Sequence, residues 1–136
     1  MKKSEKVGLN LKALLLDHDL EMLNTLTQKL IGLGMDIESS DSLHRARMLF
    51  KQDPMKIQVL ITEINFQDGD AFTLIKWMRK KNPNLIALIV TGEADLPSAI
   101  TAIKLGFADY LEKPVSMKEM PVSYTHLTLP TIGEVE

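Results

Sequence analysis

The sequence predicts an α/β fold: one parallel sheet of five short strands covered by helices on both faces. Three observations lead there. Short apolar runs alternate five times with amphipathic stretches. The runs are continuous rather than alternating, as in strands buried on both sides. Helix start and stop residues fall between them, and five strand-then-helix units imply parallel pairing.

The elements follow in order. Ala13-Leu14-Leu15-Leu16 is the first strand, stopped by acidic residues. Asp19 is placed to cap the next helix. Leu23, Leu26, Leu30 and Leu33 recur in that helix at helical spacing, and Gly34 ends it. Met35 to Ser39 is a short second strand. Asp41 or Ser42 caps a helix with Leu43, Ala46 and Phe50 on one face, and Asp53-Pro54 closes it. Gln58 to Thr62 is the third strand, and Asn65 to Asp70 is a polar loop. The next helix carries Phe72, Ile75 and Met78 and leads to the turn Asn82-Pro83-Asn84. Leu85 to Val90 is the fourth strand and runs into Thr91-Gly92. Pro97 suits a first helical turn, Ile100 and Ile103 form that helix's apolar face, and Gly106 ends it. Ala108 to Leu111 is the fifth strand, and Lys113-Pro114 precedes a fifth helix of which only Ser116 to Met120 remain.

A chain of 136 residues suits one domain with one core. It is 45% hydrophobic and 25% charged, the profile of a soluble globular protein. A formal net charge of −2 argues against bulk attraction to nucleic acid or membrane. With no cysteine, disulfides, thiolate metal sites and cysteine nucleophiles are excluded. No apolar run is long enough to span a bilayer, and Met1 to Lys6 lacks the apolar stretch of a signal peptide. A cytoplasmic location is expected. Val122 to Thr131 (VSYTHLTLPT) resembles the translation of a transposon-derived sequencing adapter. The organisation expected is therefore an N-terminal extension (1–10), one domain (11–120) and a non-native tail (121–136), with any downstream domain cut away.

In open parallel sheets, ligand sites lie outside the carboxyl ends of the strands, near the switch in strand order. That rule selects Asp17, His18, Asp19, Glu63, Thr91 and Lys113. Acidic groups, an imidazole, a hydroxyl and an ammonium would then share one edge.

Those residues and their neighbours resemble the receiver domains of two-component response regulators over roughly residues 11 to 120. Leu14-Leu15-Leu16-Asp17-His18-Asp19 resembles the strand ending in the family's acidic pair. Glu63-Ile64-Asn65-Phe66-Gln67-Asp68-Gly69-Asp70-Ala71 resembles the phosphoacceptor loop. Thr91-Gly92 matches the switch hydroxyl and the small residue after it. Leu105 to Pro114 matches the stretch with the switch aromatic Tyr110, the phosphate-binding Lys113 and a proline, Pro114, preceded by a cis bond. The resemblance is weakly to the receivers of nitrogen-regulation-class transcription activators. It implies a flavodoxin-like three-layer sandwich, strand order 2-1-3-4-5, with the fifth helix truncated. It places family-equivalent metal positions at Asp17, His18, Glu63 and Asn65.

The departures shape the functional expectation. Glu63 stands where the family has its acceptor aspartate, and His18 stands where a second acid binds magnesium. Gln67 replaces a proline and Ala71 a glycine. In ordinary receivers the acceptor carboxylate attacks phosphorus while magnesium and lysine neutralise developing charge. Glu63 is one methylene too long, and an error of about an ångström costs on the order of a hundredfold in such chemistry. It reads either as a built-in mimic of the phosphorylated state or as the partner of Lys113 in a pocket without chemistry. Magnesium prefers oxygen ligands, so His18 predicts weak binding at best and no resident cofactor. Asp17, His18 and Glu63 could in principle suit zinc or manganese, but a lone histidine in a pocket is more often a hydrogen-bonded residue than a ligand. The expected function is an atypical receiver in phosphorelay signal transduction: a protein-interaction switch, not an enzyme, working without aspartate phosphorylation. The alternatives are a phosphoaccepting receiver of a transcriptional regulator and, remotely, a small phosphate-ester enzyme. The expected partner is a sensor histidine kinase or another signalling protein. A homodimer fits too, and neither nucleic acid nor membrane is expected to bind directly. Arg79-Lys80-Lys81 reads as the solvated end of a helix.

Overall fold

The computed structural model describes residues 11–114. The elements are β1 (Lys12–Leu16), α1 (Leu20–Gly32), β2 (Asp36–Ser40), α2 (Leu43–Gln52), β3 (Val59–Thr62), β4 (Asn65–Phe66), β5 (Gly69–Asp70), α3 (Ala71–Lys81), β6 (Ile86–Thr91), α4 (Leu96–Lys104) and β7 (Asp109–Glu112). Five strands form a sheet in the order β2-β1-β3-β6-β7, every neighbouring pair parallel. This is the 2-1-3-4-5 order expected, with two numbers taken by a small hairpin. The fifth helix and the tail proposed for 121–136 lie outside the described residues.

The continuous apolar strands are buried because helices cover both sides. Ala13, Leu15, Val59, Ile61, Leu88 and Val90 face Leu23, Leu26 and Leu30 of α1. Leu14, Leu16, Leu60 and Ala87 face Leu43, Ala46 and Phe50 of α2 and Leu74, Ile75 and Met78 of α3. The period of two in the strands thus sorts one apolar run onto two layers.

The predicted caps form. Asp19 accepts from the N–H groups of Glu21 and Met22 at the start of α1. At its end, Met35 N donates to Leu30 O and Gly34 N to Ile31 O, a closure that needs the positive φ of Gly34 (96°). Ser42, rather than Asp41, caps α2. Two further caps, not predicted from the sequence, are Asp70 on α3 and Asp95 on α4.

Three expectations are corrected. The loop from Asn65 to Asp70 contains an antiparallel hairpin, β4–β5. Its tight turn needs Gly69 at φ 140°, and a Cβ there would meet Leu43 Cδ1 at 3.0 Å. Secondly, Ile100 and Ile103 do not form a buried face. They are 43% and 74% exposed, and Leu96 is 73% exposed. Helix α4 rests on the sheet through the small Ala102, with Ile64 and Ile89, so its large side chains point away. Thirdly, Arg79 is not simply solvated. It is half-buried and donates to the carbonyls of Leu85, Leu105 and Gly106, joining α3 to the corner between α4 and β7.

Candidate functional site at the carboxyl edge

The parallel ladder continues one residue past β1, β3 and β7. Asp17 N donates to Ser40 O, Glu63 N to Leu16 O, and Lys113 N to Thr91 O. These bonds set Asp17, Glu63, Thr91 and Lys113 in rank along one edge. Four separate strands therefore supply one cluster, as the position rule required.

Lys113 is its centre. The ammonium lies 2.7 Å from Asp17 Oδ2 and 2.9 Å from Glu63 Oε1. Both carboxylates are nearly inaccessible, Asp17 at 2% and Glu63 at 4%. Asp17 Oδ1 accepts from Asp19 N at 2.9 Å. Glu63 Oε2 accepts from Ile64 N at 2.7 Å, and Oε1 accepts a longer bond from Gly92 N at 3.4 Å. Every carboxylate oxygen of Asp17 and Glu63 thus has a donor. The Lys113-Pro114 bond is cis, as the resemblance implied.

The electrostatics follow from these contacts. Burial by itself pushes the Glu63 carboxyl up. The Thr91 hydroxyl, the Ile64 N–H and the Lys113 ammonium outweigh it and hold Glu63 below the ordinary glutamate range. For Lys113, burial alone pushes the ammonium down, but Asp17 and Glu63 raise it above the ordinary lysine value. The group is a buried three-membered ion cluster in which each charge is stabilised by hydrogen bonds.

The other expected residues divide. His18 is exposed, its ring edge-on to Phe66 at 6.1 Å, yet one of its ring nitrogens falls in one group with a carboxylate oxygen each of Asp17 and Glu63, these three atoms within 4.8 Å of one another. Asp19 is not a pocket acid: its exposed carboxylate is spent on capping α1. Asn65 does not turn its side chain to the cluster; its amide donates to Glu93 at 3.0 Å. Thr91 is fully buried, and its hydroxyl accepts from Glu93 N at 3.0 Å. Tyr110 is half-buried, and its hydroxyl bonds with Ser98 and accepts from Asp95 N, holding the first turn of α4.

Magnesium asks for a near-octahedral set of oxygen donors and sheds its water reluctantly. Here two of three candidate ligands already share an ammonium and the third is an imidazole. This donor set is poorer in free oxygen ligands than magnesium prefers.

Sequence reasoning missed Asp68. Its carboxylate accepts from Leu43 N at 3.2 Å and His44 N at 2.9 Å, so the β4–β5 turn supplies a second cap to α2. The His44 N–H, backed by the Leu43 N–H and nearby Arg47, holds Asp68 below the ordinary aspartate range against the opposing effect of burial. A separation of 25 residues leaves no local pattern to read. Beside it, a cavity of about 710 Å³ opens between His18, Asp41, Ser42 and the hairpin residues Asn65 to Asp68.

Comparison with known proteins agrees with this geometry. A family model described as the response regulator receiver domain matches residues 13–124. The photosynthetic apparatus regulatory protein RegA of Cereibacter sphaeroides is 24% identical over 85% of the chain, and the chain spans 61% of that relative. The response regulator protein PilR of Pseudomonas aeruginosa is 27% identical over 78% of the chain and 23% of its own length. The receiver of a CheY-like protein from Methanospirillum hungatei superposes with a TM-score of 0.83 at 19% identity, covering 92% of this chain and 98% of that one. The beryllofluoride-activated NtrC4 receiver domain dimer gives 0.78 at 23% identity, covering 85% and 93%. With the family model matched over nearly the whole sheet and the site at its carboxyl edge, the chain belongs to the response regulator receiver domain family.

Proposed function

We propose that this receiver is a protein-interaction switch that works without ordinary phosphorylation, its charge supplied by Glu63. The observation that carries the reading is the full engagement of the Glu63 carboxylate. Lys113 and Gly92 N hold Oε1 and Ile64 N holds Oε2, so the carboxylate is already fixed and partly neutralised where a phosphoryl group would have to bind. The weak fit to magnesium supports the same reading. A glutamate carries about one negative charge, whereas a phosphate adds roughly −1.5 to −2 and three acceptor oxygens. Glu63 then biases the switch partially and constantly. The buried Thr91 hydroxyl and the bond from Tyr110 to the start of α4 support a route from the cluster to the face formed by α4 and β7. A sensor histidine kinase or another signalling protein is the proposed partner there, in the cytoplasm. An output domain beyond the segment given, a homodimer and the lack of enzymatic turnover belong to the same proposal.

The test uses a small phosphodonor with magnesium and intact-mass readout. The wild-type chain should show no stable acyl-phosphate. The double variant Glu63→Asp with His18→Asp should show it, and Glu63→Asp alone less. A stable adduct on the wild type refutes the proposal and favours a phosphoaccepting receiver. Glu63→Gln separates mimicry from an inert pocket: it should weaken partner binding in the first case and alter stability alone in the second.

A further inference from the structure

Helices α2 and α3 lie side by side and contain no Asp or Glu. They carry six basic side chains besides Arg79: Arg45, Arg47 and Lys51 on α2, and Lys76, Lys80 and Lys81 on α3. These are half of the twelve Lys and Arg in residues 11–114. Among the described residues, no carboxylate lies within ion-pair distance of any of the six, since the described ion pairs involve Lys12 and Lys113. Asp68 is within electrostatic reach of Arg47, but its oxygens are taken by Leu43 N and His44 N. Arg47 and Lys51 are four residues apart, as are Lys76 and Lys80. Like charges at that spacing oppose each other on a helix. The seam between the helices holds Trp77, half-buried against Phe50, with Lys81 Nζ 4.8 Å and Arg47 Cζ 6.0 Å from its ring. Met48 on α2 is 55% exposed.

We infer that the α2–α3 seam is a docking surface for a short acidic segment of a partner protein, one that also carries apolar side chains. Carboxylates would neutralise the like charges, and apolar groups would cover Trp77 and Met48. A nucleic acid fits less well. α3 has 11 residues and is roughly 16 Å long, and the basic seam ends at Asp41, Asp68 and Asp70 where both helices begin. A long polyanion would run into those acids, whereas a short segment would stop before them. The surface is remote from Glu63 and does not depend on how that residue works.

Trp77 is the single tryptophan, so its emission reports the site. The full chain is titrated with a labelled peptide alternating glutamate and leucine, following anisotropy and Trp77 emission. Saturable binding with an emission shift is expected, weakening as salt rises from about 50 to about 300 mM. The exposed pair Lys80→Glu with Lys81→Glu should weaken binding about tenfold, while Lys29→Glu with Lys104→Glu, cations elsewhere, should leave it unchanged. Circular dichroism melts confirm that both variants fold. Equal weakening by both variants, no saturable binding, or tighter binding of a single-stranded oligonucleotide would overturn the inference. So would self-association of the chain abolished by the same reversal, which would make a second copy the occupant.

Discussion

Lys113 Nζ sits 2.9 Å from Glu63 Oε1, joining the end of β7 to the end of β3 across the intervening strand β6. The same ammonium reaches Asp17 at the end of β1. One cation thus holds together three strand ends and offsets two buried carboxylates. Removing it leaves those two charges facing each other in a poorly solvated site. Lys113→Ala should therefore cost about 3 kcal/mol. Glu63→Gln, which leaves the Asp17–Lys113 pair intact, should cost on the order of 1 kcal/mol. Urea denaturation of both variants measures the difference, and equal losses would show that Asp17 does not share the ammonium.

The acid dependence follows from the sign of each shift. Glu63 titrates below the ordinary glutamate value when folded, so its contribution is complete above that value, about 4.3, and is lost as pH falls through the folded one. Lys113 titrates above the ordinary lysine value of about 10.4, so its contribution is complete below that and is lost as pH rises through the folded one. The stability gap between wild type and Glu63→Gln should hold steady between about pH 5 and pH 10 and shrink below about pH 4. A gap that widens on acidification contradicts this assignment.

Millimolar magnesium should shift the wild-type melting temperature little, because a ligand stabilises only when its concentration exceeds its dissociation constant. His18→Asp adds an oxygen donor and a negative charge, and should enlarge the shift. A strong, saturable response of the wild type would show that the Asp17, His18 and Glu63 donors accept magnesium despite Lys113.

Asp68→Ala removes a carboxylate from two N–H groups at the start of α2 and should cost about 1 kcal/mol, the usual worth of a cap. Amide exchange should rise at Leu43 and His44 before it rises elsewhere in α2. Unchanged protection there would mean that Ser42 suffices alone.

Arg79→Ala should cost about 2 kcal/mol, because charged donors to carbonyls are stronger than neutral ones and the half-buried carbonyls of Leu85 and Leu105 would lose their donor. Arg79→Lys should recover only part, since an ammonium cannot span three carbonyls in one plane. Full recovery by lysine would assign the effect to charge rather than geometry.

The sheet was legible because Leu14 to Leu16 and Leu60 to Ile61 are apolar in succession, and burial on two faces leaves no other pattern. The first two helix starts were legible because Asp19 and Ser42 each act within three residues of their own position; Asp70 and Asp95 cap by the same local rule but went unread as caps. The cluster was legible in outline, since the end of a parallel strand is a fixed place. What escaped depended on distance or shape. Asp68 caps a helix from 25 residues away. Arg79 meets carbonyls that only the closed fold brings near. Ile100 and Ile103 have the right spacing for a buried face, but a helix seated on Ala102 turns them outward. Asn65 and Asp19 sit at the right edge but point their side chains to Glu93 and to α1.

The hairpin has a consequence for the length of the chain itself. Surface loops usually accept extra residues at small cost. This one cannot, because two helices start from it. Asp68 holds the first N–H groups of α2 and, two residues on, Asp70 holds the first turn of α3. Ala71 N also bonds back to Ile64 O. A single residue inserted between Phe66 and Asp70 would misplace one cap or the other, whichever way the loop relaxed. The stretch should therefore tolerate changes of side chain at Gln67 far better than any change in the number of residues.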